Sequence, residues 1–153
     1  MELQAILVAT DFSDCAGAAF RVAQSLAEKF GAKIVLLHVI SQRTLERLAE
    51  YLRVEPESLI PKLRRRAQAQ MQRFRKRFGT SGAEVESMVS VGAPFQEISV
   101  IARDLAVDLI ALGGYGRSGR GPIEEVFFGS TAEKVVRLLP CPVLCVPLGE
   151  GGK

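Results

Sequence analysis

Five apolar runs along the chain have strand length: Ala5–Ala9, Lys33–Val39, Glu84–Val91, Asp108–Leu112 and Val143–Val146. Their length suits strands rather than helices. In the first, second, fourth and fifth, Ile, Val and Leu follow one another with little polar interruption. That is the pattern of strands covered on both faces of a parallel sheet. The third, Ala83-Glu84-Val85-Glu86-Ser87-Met88-Val89, alternates, and is expected at an edge or half exposed.

Between these runs the apolar period lengthens to that of a helix. Ser13 or Asp14 can cap a helix that runs through Phe30 and is closed by Gly31. Thr44–Phe78 has helical composition, with Pro56 and Pro61 dividing it into a short first part and a longer second part ending at Gly79. Pro94 suits the first turn of a helix reaching about Leu105. Ser130-Thr131-Ala132-Glu133 forms a capping box for a helix that stops before Pro140. This alternation predicts the α/β class: one domain over residues 1–148, a doubly wound five-stranded parallel sheet in the order 3-2-1-4-5, and a frayed tail at 149–153. Such sheets bind ligands at the carboxyl ends of their strands, where the winding direction reverses. The segments to search are therefore Thr10–Asp14, Val39–Arg43 and Gly113–Ser130.

Composition narrows the class without changing it. A chain of 153 residues with 48% apolar content can bury a core without covalent staples. No apolar run approaches the ~18 residues of a membrane span. The start, Met1-Glu2-Leu3-Gln4, has no basic region ahead of an apolar one, so no signal peptide is expected. The net charge of +3 hides a segregation: eight basic residues and no acid lie between Lys62 and Arg77, leaving the rest at −5. Leu63, Ala67, Met71, Phe74 and Phe78 recur there at spacings of three and four, which predicts an amphipathic helix with a solvated cationic face. Nucleic acid and membrane are not expected partners. The cysteines, Cys15, Cys141 and Cys145, contain no CxxC. Cys141 and Cys145 stand about 13 Å apart along a strand, too far for a disulfide. Reduced, packed thiols in a cytoplasmic protein are expected, with no metal site.

One loop carries candidate chemistry. Gly113-Gly114-Tyr115-Gly116-Arg117-Ser118-Gly119-Arg120-Gly121 holds five glycines in nine residues directly after the fourth strand. Glycines let backbone N–H groups turn toward an anion, and Arg117 and Arg120 add charge. Gly129-Ser130 then opens a helix whose N-terminus is a second anion site. Read singly, such a loop is a tight connection and such a serine a cap. Together, at the switch-point end of the sheet, they suit a triphosphate. A Walker A loop is excluded because no Lys follows the glycines, and a dinucleotide fingerprint would have to follow the first strand. His38, the sole histidine, is expected to be structural.

Over essentially its whole length the chain resembles the universal stress proteins. The residues that carry this are Ile6-Leu7-Val8-Ala9-Thr10-Asp11-Phe12-Ser13, Val35-Leu36-Leu37-His38-Val39 and Pro140-Cys141-Pro142-Val143-Leu144. Gly116-Arg117-Ser118-Gly119, nine residues and then Gly129-Ser130 also satisfy that family's G-x2-G-x9-G-[ST] pattern. Gly113-x2-Gly116 fits its first half as well, so two registers are open. The resemblance implies a Rossmann-like fold of the adenine nucleotide alpha hydrolase type and an ATP-binding regulator of stress responses, with Mg²⁺ accompanying the nucleotide. By position, it implies that Asp11, with Thr10 beside it, meets the adenosine. Val39 would offer backbone contacts to adenine. Gly113, Gly116, Arg117, Gly119, Gly129, Ser130 and Thr131 would hold ribose and phosphates. It also implies a homodimer through the last, edge strand. Two other functions stand beside this one: a slow ATPase or nucleotidyl transferase, for which no catalytic residue is visible, and an interaction module using the Arg-rich helix 62–77.

Overall fold

The computed structural model describes residues 2–80, 82–114 and 139–148. Gly116, Arg117, Gly119, Gly129, Ser130 and Thr131 lie outside these residues, as do the capping box and the tail at 149–153. Strands β1 (Ala5–Ala9), β2 (Lys33–Ser41), β3 (Val85–Gly92), β4 (Leu109–Gly113) and β5 (Val143–Val146) form one sheet in the order β3-β2-β1-β4-β5, as expected. Every neighbouring pair is parallel.

The alternation of side chains along each strand divides the core into two layers. Ile6, Val8, Ile34 and Leu36 face α1 (Asp14–Phe30) and α3 (Pro56–Phe78), against Phe20, Met71 and Phe74. Leu7, Val35, Leu37 and Ile110 face the other way, onto Ile98 and Ala102 of α4 (Pro94–Asp104). Ile6, Leu7 and Val8 are wholly buried. Each such side chain contributes about 1.5–3 kcal/mol relative to exposure.

The ends of α1 lie where the sequence puts them. Ser13 caps it by accepting from the Ala16 N–H, and Gly31 closes it in the left-handed conformation at φ 69°. Elsewhere the bounds differ, each for a local reason. β4 begins one residue later than expected because the Asp108 carboxylate accepts from the N–H groups of Gln4 (2.8 Å) and Ala5 (3.1 Å), tying the strand entrance to β1. The segment 42–78 breaks at Arg53, left-handed at φ 57°, which ends α2 (Gln42–Leu52). Pro56 then starts α3, and Pro61 lies inside it rather than dividing it. There it forfeits the ladder bond to the Glu57 carbonyl and its ring crowds that carbonyl, a local cost that the long helix absorbs. Buried Gln24 joins α1 to the end of α3: its amide donates to the carbonyls of Phe20 and Phe78, and its oxygen accepts from the N–H and hydroxyl of Thr80.

The cationic face of α3 is only partly the solvated surface expected. Glu84 directs its carbonyl toward β2, so alternation turns those of Val85 and Val89 outward from the sheet edge. Arg64 donates to the Val89 carbonyl at 2.6 Å, and Arg75 to the Val85 carbonyl at 3.2 Å and to the Ser87 hydroxyl. Arg77 pairs with Asp14 at 3.1 Å and lies over the Phe78 ring. All three cysteines are free, as expected. Cys15 is buried, and Cys141 packs on the second core layer. Partial burial, with the Asp108 carboxylate adding to it, pushes the Cys141 thiol above its ordinary value. Cys145 was expected to pack but is exposed, on edge strand β5. No helix among the described residues is long and apolar enough to cross a membrane.

Gly17 and Gly113 are both required by close approach. A Cβ on Gly17 would enter the Phe78 ring, and one on Gly113 would lie 2.7 Å from the Cys15 carbonyl carbon and 3.0 Å from the Ala16 nitrogen. The neighbour of Gly113 is backbone and cannot rotate away. Gly113→Ala should therefore lower the unfolding free energy by roughly 1–3 kcal/mol, measured by denaturant titration. Gly17→Ala should also destabilise, despite a helix propensity gain of about 1 kcal/mol. Adding Phe78→Leu should recover part of that loss. Wild-type stability in both single variants would contradict these contacts.

Candidate functional site

The winding of the sheet reverses between β1 and β4, so their carboxyl ends diverge to opposite sides and leave a crevice there. The chain leaving β1 is held by consecutive side-chain bonds. The Thr10 N–H donates to the Leu37 carbonyl at 2.8 Å, and its own carbonyl accepts from His38 Nδ1 at 2.8 Å. A carbonyl only accepts, so Nδ1 carries the proton. The Thr10 hydroxyl accepts from the Phe12 N–H, Asp11 Oδ1 from the Ser13 N–H, and the Ser13 hydroxyl from the Ala16 N–H.

Phe12 adopts φ 70°, a conformation that costs a non-glycine residue on the order of 1 kcal/mol. Its ring stacks on His38 with centroids 4.2 Å apart and meets Phe74 edge-on at 6.0 Å. The aromatic contacts and the Thr10 bond offset the backbone cost. His38 accordingly serves as a prop for the turn, in keeping with its expected structural role.

Asp11 emerges from this turn with one oxygen committed and one not. Oδ2 is shielded from solvent and has no hydrogen-bond partner among the described residues. Leaving a buried carboxylate oxygen unpaired costs about 1–3 kcal/mol, so the position suits a ligand that donates. The register of β1 on β2 pairs Ala9 with Leu37, which sets Asp11 level with Val39. Val39 pairs in turn with Ser90 of β3. The Ser90 hydroxyl is the other buried side-chain oxygen without a partner among the described residues. Continued two residues past the end of β1, this register puts Asp11 on one row with Val39 and Ser90 near the carboxyl ends of β2 and β3, where neighbouring strands run about 4.8 Å apart.

The structure brings Thr10, Asp11 and Val39 to this edge, and places Gly113 at the end of β4 beside the first turn of α1. The Thr10 hydroxyl and the missing side chain of Gly113 have structural duties there. Ser90 has no signal in the sequence: in an alternating edge strand its hydroxyl reads as solvent-facing. Among the described residues, no group of three or more His, Cys, Asp or Glu side chains converges as a metal site would require. The row fits a flat, hydrogen-bonding molecule. An acid can accept from an amino group or a sugar hydroxyl, β2 offers main-chain groups beside it, and a serine both donates and accepts.

Residues 2–147 match the model of the Universal stress protein family. Universal stress protein YxiE of Bacillus subtilis is 31% identical, with 92% of this chain and 97% of that protein covered. Universal stress protein MJ0577 of Methanocaldococcus jannaschii is 29% identical, with 92% and 93% covered. Its solved structure superimposes with a TM-score of 0.75 over 99% of this chain and 100% of that one. The universal stress protein of Archaeoglobus fulgidus, solved in complex with dAMP, shares the fold at 24% identity and a TM-score of 0.59, covering 95% of this chain and 99% of that one. The strand order, the switch-point site and these matches agree: the chain belongs to the universal stress protein family.

Proposed function

We propose that this protein binds ATP, accompanied by Mg²⁺, at the carboxyl edge of β1, β2 and β4, and acts in the cytoplasm as a nucleotide-dependent regulator of stress responses rather than as an enzyme. The observation that carries this reading is the unpaired buried Asp11 Oδ2 beside the switch point, in a row with Val39 and with the unpaired buried Ser90 hydroxyl of β3. Asp11 Oδ2 accepts from the ribose or the adenine amino group, and the main chain at Val39 meets the base. Gly116, Arg117, Gly119, Gly129, Ser130 and Thr131 hold the phosphates, through backbone N–H groups, hydroxyls and guanidinium charge. The Mg²⁺ is held chiefly by those phosphates. An adenine nucleotide bound to a protein of the same fold in Archaeoglobus fulgidus is in keeping with this reading, and three free thiols suit a reducing compartment.

The same reading includes a homodimer through β5. Of the two sheet edges, β3 is covered by Arg64 and Arg75, whereas β5 presents an exposed Cys145. An uncovered edge of apolar residues favours pairing with a second strand.

Calorimetric titration with ATP and Mg²⁺ should show saturable binding, and Asp11→Asn should weaken it about tenfold or more, the worth of a hydrogen bond to a charged group. Thermal unfolding of that variant without ligand should stay close to wild type, because Asn retains an oxygen for the Ser13 N–H. Absence of binding at millimolar ATP, or unchanged affinity in Asp11→Asn, would refute the nucleotide reading. Sedimentation at micromolar concentration should report twice the chain mass, and a monomer there would refute the dimer.

A further inference from the structure

A cavity of about 300 Å³ lies between the end of β2 and the helices α2 and α3. Its body is aliphatic, from Ile40, Leu45, Leu48 and Leu63, and its polar groups include Arg66 and Gln70. Among the described residues, no acidic side chain lines it. Ligand cavities are commonly built this way, with an apolar body and few polar groups that fix orientation.

Charge decides the class of occupant. Of the arginines on α3, Arg64, Arg75 and Arg77 have partners within the fold. Arg66 has neither an ion pair nor a hydrogen bond among the described residues, and neither does the Gln70 amide one turn later. A guanidinium at a cavity whose other polar lining is the neutral Ser41, Thr44 and Gln70 and the ring of His38, with no carboxylate lining it among the described residues, matches an anionic head group and favours planar carboxylate oxygens in bidentate contact. The leucines match an aliphatic tail.

We propose that this cavity binds a small amphipathic carboxylate, its chain on Leu45, Leu48 and Leu63 and its head on Arg66 and Gln70. Val39 borders the cavity and Asp11 does not line it, and the proposal does not rest on the nucleotide reading.

Octanoate titrated into the full chain, with leucine methyl groups labelled for NMR, tests this. Saturable shifts are expected at Leu45, Leu48 and Leu63. Arg66→Gln should weaken binding about tenfold, the loss of a charge-assisted contact, while Arg65→Gln, on the neighbouring exposed position, should leave it unchanged. Octanol, with the same chain and no charge, should bind at least about tenfold more weakly than octanoate. Equal binding of octanol, indifference to Arg66→Gln, shifts confined to other leucines, or no shift at millimolar octanoate would each overturn the proposal. Displacement of octanoate by ATP would overturn it as well, since the cavity would then be part of the nucleotide site.

Discussion

The architecture depends on a strand of five residues that has no free side. β1 is paired to β2 on one edge and β4 on the other, and Ile6, Leu7 and Val8 are wholly buried from both faces. Such a strand requires a helical layer on each side of the sheet, because neither face can be left to water. It also leaves polar chemistry one place to surface along β1, at the strand's end. The first residues beyond that end, Thr10 and Asp11, are polar, and the row that crosses the sheet edge begins with them.

The turn that follows is built for stiffness. Within four residues, three side chains bond to backbone N–H groups, and a fourth, Phe12, is held at positive φ by its stack on His38. This fixes the carboxylate of Asp11 and the start of α1 together. α1 is in turn pressed against the end of β4 where Gly113 has no side chain. The end of β4 and the turn after β1 are therefore set relative to each other by backbone contact, which is less compliant than side-chain packing.

The sequence was most legible where local chemistry and burial agree. Continuous apolar runs marked strands, and the interrupted run at 83–89 marked an edge, because side-chain alternation reports solvent directly. Ser13 and Gly31 marked α1 because capping is a property of a few adjacent residues. Pro61 misled, since a proline in the second turn of a helix has a local cost that a long amphipathic helix tolerates. Arg64 and Arg75 looked like surface charge because their partners are main-chain carbonyls of β3, and a carbonyl leaves no mark on composition. Ser90 was hidden for the same reason: its place in the row follows from strand register, which no local pattern of residues records. At Gly113 the loop's glycine density drew attention to anions, whereas the backbone of Cys15 and Ala16 accounts for the missing side chain.

The arginines along β3 have one more consequence, for growth. A sheet with two open edges can add a copy at each, and such addition has no natural end. Here one border carries guanidinium groups of the same chain on two of the carbonyls, those of Val85 and Val89, that an incoming strand would need. A strand arriving at β3 would have to displace these guanidinium groups, so an internal contact, rather than the geometry of a partner, disfavours a filament propagated through this sheet.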